Sequence, residues 1–135
     1  MSTPDYRAMI PGLVYRNQAF INGRHVPAAS GRTFDCVSPI DGRVLTQIAE
    51  CDAEDVNRAV AAARAAFEKG GWSACHPQKR KKVLTRFAEL ILKHRDELAL
   101  LETLDMGKPI ASSAGGDIPA SAQAIQWYGE AADKQ

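Results

Sequence analysis

The sequence has little of several features that mark particular classes of protein. It contains three cysteines, Cys36, Cys51 and Cys75, an odd number without a Cys-x-x-Cys pair. A disulfide framework is therefore not expected, and a reducing compartment is predicted. No apolar run approaches the roughly 18 residues of a membrane span. The first sixteen residues lack the apolar region of a secretory signal. We therefore expect a cytoplasmic protein without a membrane partner.

Neither sign of charge dominates the chain. Seventeen Lys and Arg oppose sixteen Asp and Glu, which leaves a formal net charge of +1. Such a chain has no overall field that attracts nucleic acid, so no nucleic-acid partner is predicted. The main basic cluster is Lys79–Lys82 with Arg86. Because no aromatic residues interleave with it, we interpret it as a solvated helix face, with phosphate or nucleic-acid binding as the alternative.

Sequence patterns for catalysis, phosphate binding and zinc binding are also missing. Gly70-Gly71 and Gly115-Gly116 are isolated pairs, and no phosphate-loop pattern occurs. The histidines at positions 25, 76 and 94 are too far apart for a zinc site. Cys75 lies near a predicted helix start, a position that favours thiol reactivity, but its neighbour His76 is badly placed to act as its base. We assign no catalytic residue, and an enzyme that uses Cys75 is kept as one hypothesis.

Strand signals come first in the chain. Residues 1–18 show no clear period and are interpreted as an amino-terminal arm. Asn22-Gly23 is a strong signal for a two-residue hairpin turn. The strand-like runs around and after it are Ala19–Ile21, Arg24–Val26, Thr33–Val37 and Val44–Ala49. Residues 19–50 therefore predict one small antiparallel sheet.

Helical spacing begins at Asp52, which is a good N-cap. The apolar stripe of this first helix, which ends at Gly70-Gly71, consists of Val56, Val60, Ala63 and Phe67. A second helical region runs from His76-Pro77 to Gly107, with a break at residues 93–96 where Asp96 is the predicted cap. The fold class is therefore α+β, a small antiparallel sheet followed by three or four helices.

The remaining residues predict one more helix. Residues 112–116 predict a loop or a frayed turn, because two serines and two glycines interrupt the apolar spacing. Asp117 is the predicted N-cap of a last helix that continues to Gln135 without a stop signal. A helix without a C-cap suggests that the sequence is a truncated piece.

Segments spread from Phe20 to Lys134 resemble the amino-terminal segment of the NAD(P)-dependent aldehyde dehydrogenase superfamily. The clearest is Glu102–Pro109, which is similar to the family pattern ETLDxGKP. The other segments that agree in order and spacing include Phe20–Gly23, Pro39–Gly42, Ala59–Phe67 and Trp127–Gly129. Details at Lys79–Leu84 and Asp117–Pro119 are most similar to bacterial enzymes that act on γ-glutamyl-γ-aminobutyraldehyde and similar amino-aldehydes.

The resemblance implies that the parent enzyme has the α/β aldehyde dehydrogenase fold. Residues 19–135 would then be the incomplete amino-terminal portion of its cofactor-binding domain. The family oxidises an aldehyde to a carboxylic acid with NAD or NADP, using a Cys thiolate and a Glu-activated water. Neither of those residues nor the NAD(P)-binding residues falls in the matched segment, so the chain alone is expected to be inactive. The family implies a homo-oligomeric parent, a dimer or a tetramer. The alternative is a non-catalytic interaction module that retains the family's amino-terminal scaffold.

One site of the family maps onto this chain. Many members hold a structural Na⁺ or K⁺ through backbone carbonyls and the Asp of ETLDxGKP, and the matching positions are Cys36, Val37 and Asp105. Such hard oxygen ligands suit an alkali cation. The alternative is that Asp105 only caps the turn at Gly107. Trp127 and Tyr128 would line the mouth of a substrate tunnel or fill an interdomain core.

Overall fold

The computed structural model describes residues 4–134, which form four strands and six α-helices. These residues divide into two compact units. The β unit contains residues 15–38 and 42–75, and the α unit contains the rest. Short antiparallel pairs followed by helices confirm the predicted α+β class.

The strands of the β unit pair as two separate hairpins. They are β1 (Ala19–Ile21) with β2 (Arg24–Val26), and β3 (Thr33–Val37) with β4 (Val44–Ala49). The β1–β2 turn needs positive φ, which Asn22 adopts at 51° and Gly23 at 76°. All four strands are as predicted. The expectation of one sheet over residues 19–50 is wrong, because no ladder joins the two hairpins in the described residues. The segment between β2 and β3 is instead hydrogen-bonded to the helix that follows the strands.

That helix, α2 (Ala53–Lys69), begins with a reciprocal capping box. The Asp52 carboxylate accepts a hydrogen bond from the Glu54 N–H at 3.0 Å, and Asp55 accepts one from the Asp52 N–H at 3.3 Å. Asp55 is buried and also accepts from the backbone N–H of Ala29 at 3.0 Å. A carboxylate thus fixes α2 to the β2–β3 loop. The side chains of the predicted apolar stripe point to solvent, with Val56 57% and Phe67 65% exposed.

In the α unit, part of the amino-terminal arm is ordered. The sequence predicted an arm without a clear period, and within it α1 (Tyr6–Met9) and a 3₁₀ turn (Ile10–Gly12) form, with Asp5 capping α1. The Tyr6 hydroxyl donates a hydrogen bond to Asp96 Oδ1 at 3.0 Å and so connects the arm to the next helices. Residues 1–3 of the predicted arm lie outside the described residues.

The second helical region forms as two helices, α3 (Pro77–Lys93) and α4 (Arg95–Met106), which meet at His94. The predicted stop at Gly107 is confirmed, since this residue adopts φ 78° in the left-handed region. The prediction that Asp96 caps α4 is wrong. Asp96 lies inside the first turn, and Tyr6 and Arg95 both donate to its carboxylate.

The last helical segment is continuous. It consists of α5 (Ile110–Ser112), a π turn (Ser113–Asp117) and α6 (Ile118–Ala131). The prediction of a loop or frayed turn at residues 112–116 is wrong, because the two glycines are accommodated in the wider π turn. Asp117 makes no capping hydrogen bond and instead pairs with the Lys108 ammonium. The prediction that the last helix continues to the end of the sequence is wrong, because α6 ends at Ala131, and Gln135 itself lies outside the described residues.

Small residues allow α3 and α6 to pack closely. A Cβ atom at Gly129 of α6 would lie 2.9 Å from the Leu84 Cβ of α3, nearer than carbon atoms approach. The buried apolar residues of the unit are Ala88, Ala99, Leu100, Leu104 and Ala122. The core that positions the surfaces described below is therefore narrow and rich in alanine.

Candidate functional site

The three residues of the predicted cation site lie in different units. Cys36 and Val37 end β3, where the pairing with β4 is irregular between them. Asp105 is exposed in the last turn of α4. In the described part of the chain, no three His, Cys, Asp or Glu side chains form a metal-binding group. That finding does not test the predicted site, because two of its ligands are backbone oxygens, and the site stays a prediction.

The geometry around Cys75 explains His76 without catalysis. The His76 Nδ1 accepts a hydrogen bond from the Gln78 N–H at 3.3 Å and so caps α3. Cys75 is half-buried, and its N–H donates to the Trp72 carbonyl at 3.2 Å. This local arrangement is a helix start, and an enzymatic role for Cys75 stays a hypothesis.

The basic cluster on α3 is partly neutralised by neighbouring carboxylates. The Lys81 ammonium pairs with Asp133 at 3.0 Å, and the Arg86 guanidinium pairs with Glu89 at 2.8 Å. The hydrogen bond from Lys81 holds the pKa of the Asp133 carboxyl below its usual value. Lys79 and Lys82 have no acidic partner among the described residues.

Beside these lysines, α3 presents an apolar face to solvent. Val83, Phe87 and Leu90 are 46%, 50% and 36% exposed, and their spacing of four and three residues puts them on one side of the helix. The groove over this face, called here the α3 groove, has a volume of about 440 Å³. Its lining residues are Lys79, Lys82, Val83, Arg86, Phe87 and Leu90.

A second group of buried polar atoms lies where α4 packs on the π turn. The Lys108 ammonium pairs with Asp117, and this hydrogen bond raises the pKa of Lys108. Nearby on the same two elements, the Glu102 Oε2, Thr103 Oγ1 and Ser113 Oγ atoms are buried without a hydrogen-bond partner in the described residues. Sequence reasoning missed the pair of Lys108 and Asp117, because nothing in a spacing of nine residues indicates a contact.

Two aromatic residues on α6 lie outside the core of the α unit. Trp127 and Tyr128 are 63% and 67% exposed, and their rings meet edge to face with centroids 4.9 Å apart. Neither ring fills the packing between α3 and α6, where Gly129 lies instead. The exposure of both rings agrees with a tunnel mouth and with an interdomain contact.

Large apolar side chains are exposed in both units. The β unit exposes Phe20, Phe34 and Phe67, and the α unit exposes Phe87 and Trp127. Large exposed apolar patches mark surfaces that another protein surface covers. The described helices include none that is long and apolar enough to cross a membrane.

Comparison with known proteins agrees over nearly the whole chain. The profile of the aldehyde dehydrogenase family matches residues 25–135. The NADP/NAD-dependent aldehyde dehydrogenase PuuC of Escherichia coli (strain K12) is 50% identical over 122 residues, which is 90% of this chain and 25% of that enzyme. The chain thus spans about a quarter of the length of the curated relatives it matches.

Solved structures show the same similarity. An indole-3-acetaldehyde dehydrogenase of P. syringae, in complex with NAD⁺ and IAA, is 53% identical with a TM-score of 0.94 over 97% of this chain and 26% of that one. The γ-glutamyl-γ-aminobutyraldehyde dehydrogenase of Burkholderia cenocepacia J2315 is 51% identical, also with a TM-score of 0.94, over 97% of this chain and 27% of that one.

Proposed function

The chain belongs to the aldehyde dehydrogenase family, and we propose that it is the amino-terminal part of an enzyme that oxidises an aldehyde to a carboxylic acid. The strongest support is the contrast between the covered share of this chain and the covered share of its structural neighbours. Nearly the whole chain superposes on solved dehydrogenases, yet it accounts for only about a quarter of their length. Large exposed apolar surfaces in both units agree with a missing remainder that covers them.

The proposed substrate class is the amino-aldehydes. The B. cenocepacia neighbour is named for γ-glutamyl-γ-aminobutyraldehyde, and this agrees with the resemblance seen in the sequence. The proposed cofactor is NAD or NADP, because the P. syringae structure contains NAD⁺ and PuuC is named for both. When bound, this cofactor accepts a hydride from the substrate.

The reacting groups are proposed to lie in other segments of the enzyme. In the mechanism inferred from the family, a Cys thiolate attacks the aldehyde carbon and a Glu activates the water that releases the acid. Among the described residues, His76 caps α3 and Asp55 holds the β2–β3 loop, which are structural roles. The contribution of this chain is therefore the scaffold on which the rest of the cofactor-binding domain packs.

We also propose a domain organisation, a location, an oligomeric state and a cation site for this enzyme. Residues 1–18 form an arm, and residues 19–135 form the incomplete cofactor-binding domain. The parent enzyme is a cytoplasmic homo-oligomer, a dimer or a tetramer. A structural Na⁺ or K⁺ binds the backbone oxygens of Cys36 and Val37 and the carboxylate of Asp105. The irregular β3–β4 pairing at Cys36 and Val37 supports this assignment, because a bulge turns backbone groups away from the ladder.

The test is the reading frame that follows Gln135 in the source DNA. The proposal expects the frame to continue with a segment that resembles Glu-Leu-Gly-Gly and a later one that resembles Gly-Gln-x-Cys, which would supply the Glu and Cys. A stop codon directly after Gln135, or a continuation unrelated to the family, would overturn the proposal.

A further inference from the structure

We propose that the α3 groove is the docking surface for one contiguous, acidic and apolar segment of the same enzyme, encoded beyond Gln135. This inference rests on the proposed function, since the segment belongs to the part of the enzyme that the chain lacks. It adds which surface is covered, and by what chemistry.

The apolar part of the groove is suited to a packed side chain. Val83, Phe87 and Leu90 form a continuous row over two turns of α3 and lie between 36% and 50% exposed. Another face of α3 is already used, because Leu84 lies against Gly129 of α6 and Ala88, one turn further on, is buried. The exposed row is therefore a second apolar face, and an ordinary solvated helix has only one.

The charge along the edge of the α3 groove indicates the charge of the segment that would bind there. Lys79, Lys82 and Arg86 follow one another at spacings of three and four residues, so they form a cationic row along one edge of the apolar face. Within this row, and among the described residues, only Arg86 has an acidic partner, Glu89, and the two lysines have none. A segment that carries carboxylates beside its apolar side chains would match this edge.

A second copy of the chain is a poorer occupant. A two-fold contact through this face would put the same surface on both partners. The cationic row of one copy would then lie against the cationic row of the other, and such like-charge contacts are unfavourable. The relatives extend about three times the length of this chain beyond the matched region, which provides enough polypeptide for an acidic partner.

The test uses the full 135-residue chain and synthetic peptides. Overlapping peptides, each about 20 residues long and so sufficient for several helical turns, cover the reading frame after Gln135. Binding is followed by fluorescence anisotropy of a labelled peptide, at low and at physiological salt. We expect peptides from one stretch of the frame, with Asp or Glu beside apolar residues, to bind the chain. Their affinity should fall as the salt concentration rises.

Variants assign the binding to the groove. The affinity for the peptide should fall at least tenfold in Phe87→Asp. It should fall as much in the double variant Lys79→Glu with Lys82→Glu. Replacing the peptide's carboxylates by lysines should restore binding to the double variant. The matched controls are Phe67→Asp and Arg64→Glu on α2, which are similarly exposed and should leave binding unchanged. Thermal melts of all variants show that each one is folded.

The outcomes are distinguishable. If the frame continues with family sequence and no peptide binds, the docking surface is refuted and the proposed function stands. If the frame does not continue with family sequence, both are refuted. Binding that ignores Phe87 and both lysines refutes the docking surface, as does co-sedimentation of the chain with anionic vesicles in the absence of any peptide binding. Association of the chain with itself through Phe87 would identify a second copy as the occupant and would also refute it.

Discussion

The carboxylate of Asp55 accepts a hydrogen bond from the backbone N–H of Ala29 at 3.0 Å, across 26 residues of sequence. The same carboxylate accepts from the Asp52 N–H at 3.3 Å and pairs with the Arg58 guanidinium at 3.3 Å. One buried charge thus satisfies the start of α2 and the β2–β3 loop together. Burial of a carboxylate is tolerated only when it is paired in this way.

Asp55→Ala should therefore destabilise the β unit by about 3 kcal/mol, because the Ala29 and Asp52 N–H groups and the Arg58 cation lose their partner. Chemical denaturation of the chain, followed by circular dichroism, measures this change. The control is Glu54→Ala at the exposed neighbouring position, which should cost less than about 0.5 kcal/mol. An equal loss of stability in both variants would show that Asp55 contributes only as a negative charge near the start of α2.

The contact between α3 and α6 predicts opposite effects for two glycines. Gly129→Ala should cost about 1–3 kcal/mol, because the new methyl group would lie 2.9 Å from Leu84 Cβ and force the helices apart. Gly116→Ala in the π turn meets no atom within 4 Å and should be neutral or stabilise the chain slightly. Denaturant midpoints of the two variants test this. A destabilised Gly116→Ala with an unchanged Gly129→Ala would contradict the packing.

Acid should weaken one contact between α3 and the end of the α unit. The hydrogen bond from Lys81 lowers the pKa of Asp133, so the pair stabilises the folded chain above the unfolded carboxyl pKa of about 4. This contribution is lost as the pH falls through the lower pKa of the folded state. In an NMR titration, Lys81→Met should raise the pKa of Asp133. Lys82→Met is the control, and an equal shift in both variants would contradict a specific pair.

Because the apolar stripe on α2 is exposed, we expect charged substitutions there to have little effect on stability. Val60→Asp and Phe67→Asp should change the free energy of unfolding by less than about 0.5 kcal/mol, since both side chains are more than half exposed. Both variants should also reduce binding of an apolar fluorescent dye. Ala62→Asp, on the half-buried side of the helix that carries Asp55, should destabilise the chain clearly. Severe destabilisation by Phe67→Asp would show that the stripe is part of a core.

Local chemistry made much of the fold predictable from sequence. Asn22-Gly23, Asp52 and Gly107 each set the backbone through contacts with residues only a few positions away, and the structure has the predicted turn, cap and stop there. The predictions were wrong where a partner further away in the sequence determines the role of a side chain. Asp96 is occupied by Tyr6, and Asp117 by Lys108, so neither serves as a cap.

The surfaces were less predictable than the elements. Periodicity identified the apolar stripe of α2, but it could not show that Asp55, and not the stripe, holds the helix in place. The α3 groove was likewise hidden, because Val83 and Phe87 have the spacing of ordinary core residues. Which apolar face is covered depends on what else is present, and a sequence window contains no such information.

The most direct test of the account compares two proteins in one assay of NADH formation with an amino-aldehyde. One is the 135-residue chain, and the other is the product of the frame continued beyond Gln135. We predict NADH formation by the longer protein alone. Turnover by the shorter chain in purified form, in proportion to its concentration, would contradict the claim that the reacting groups lie in other segments of the enzyme.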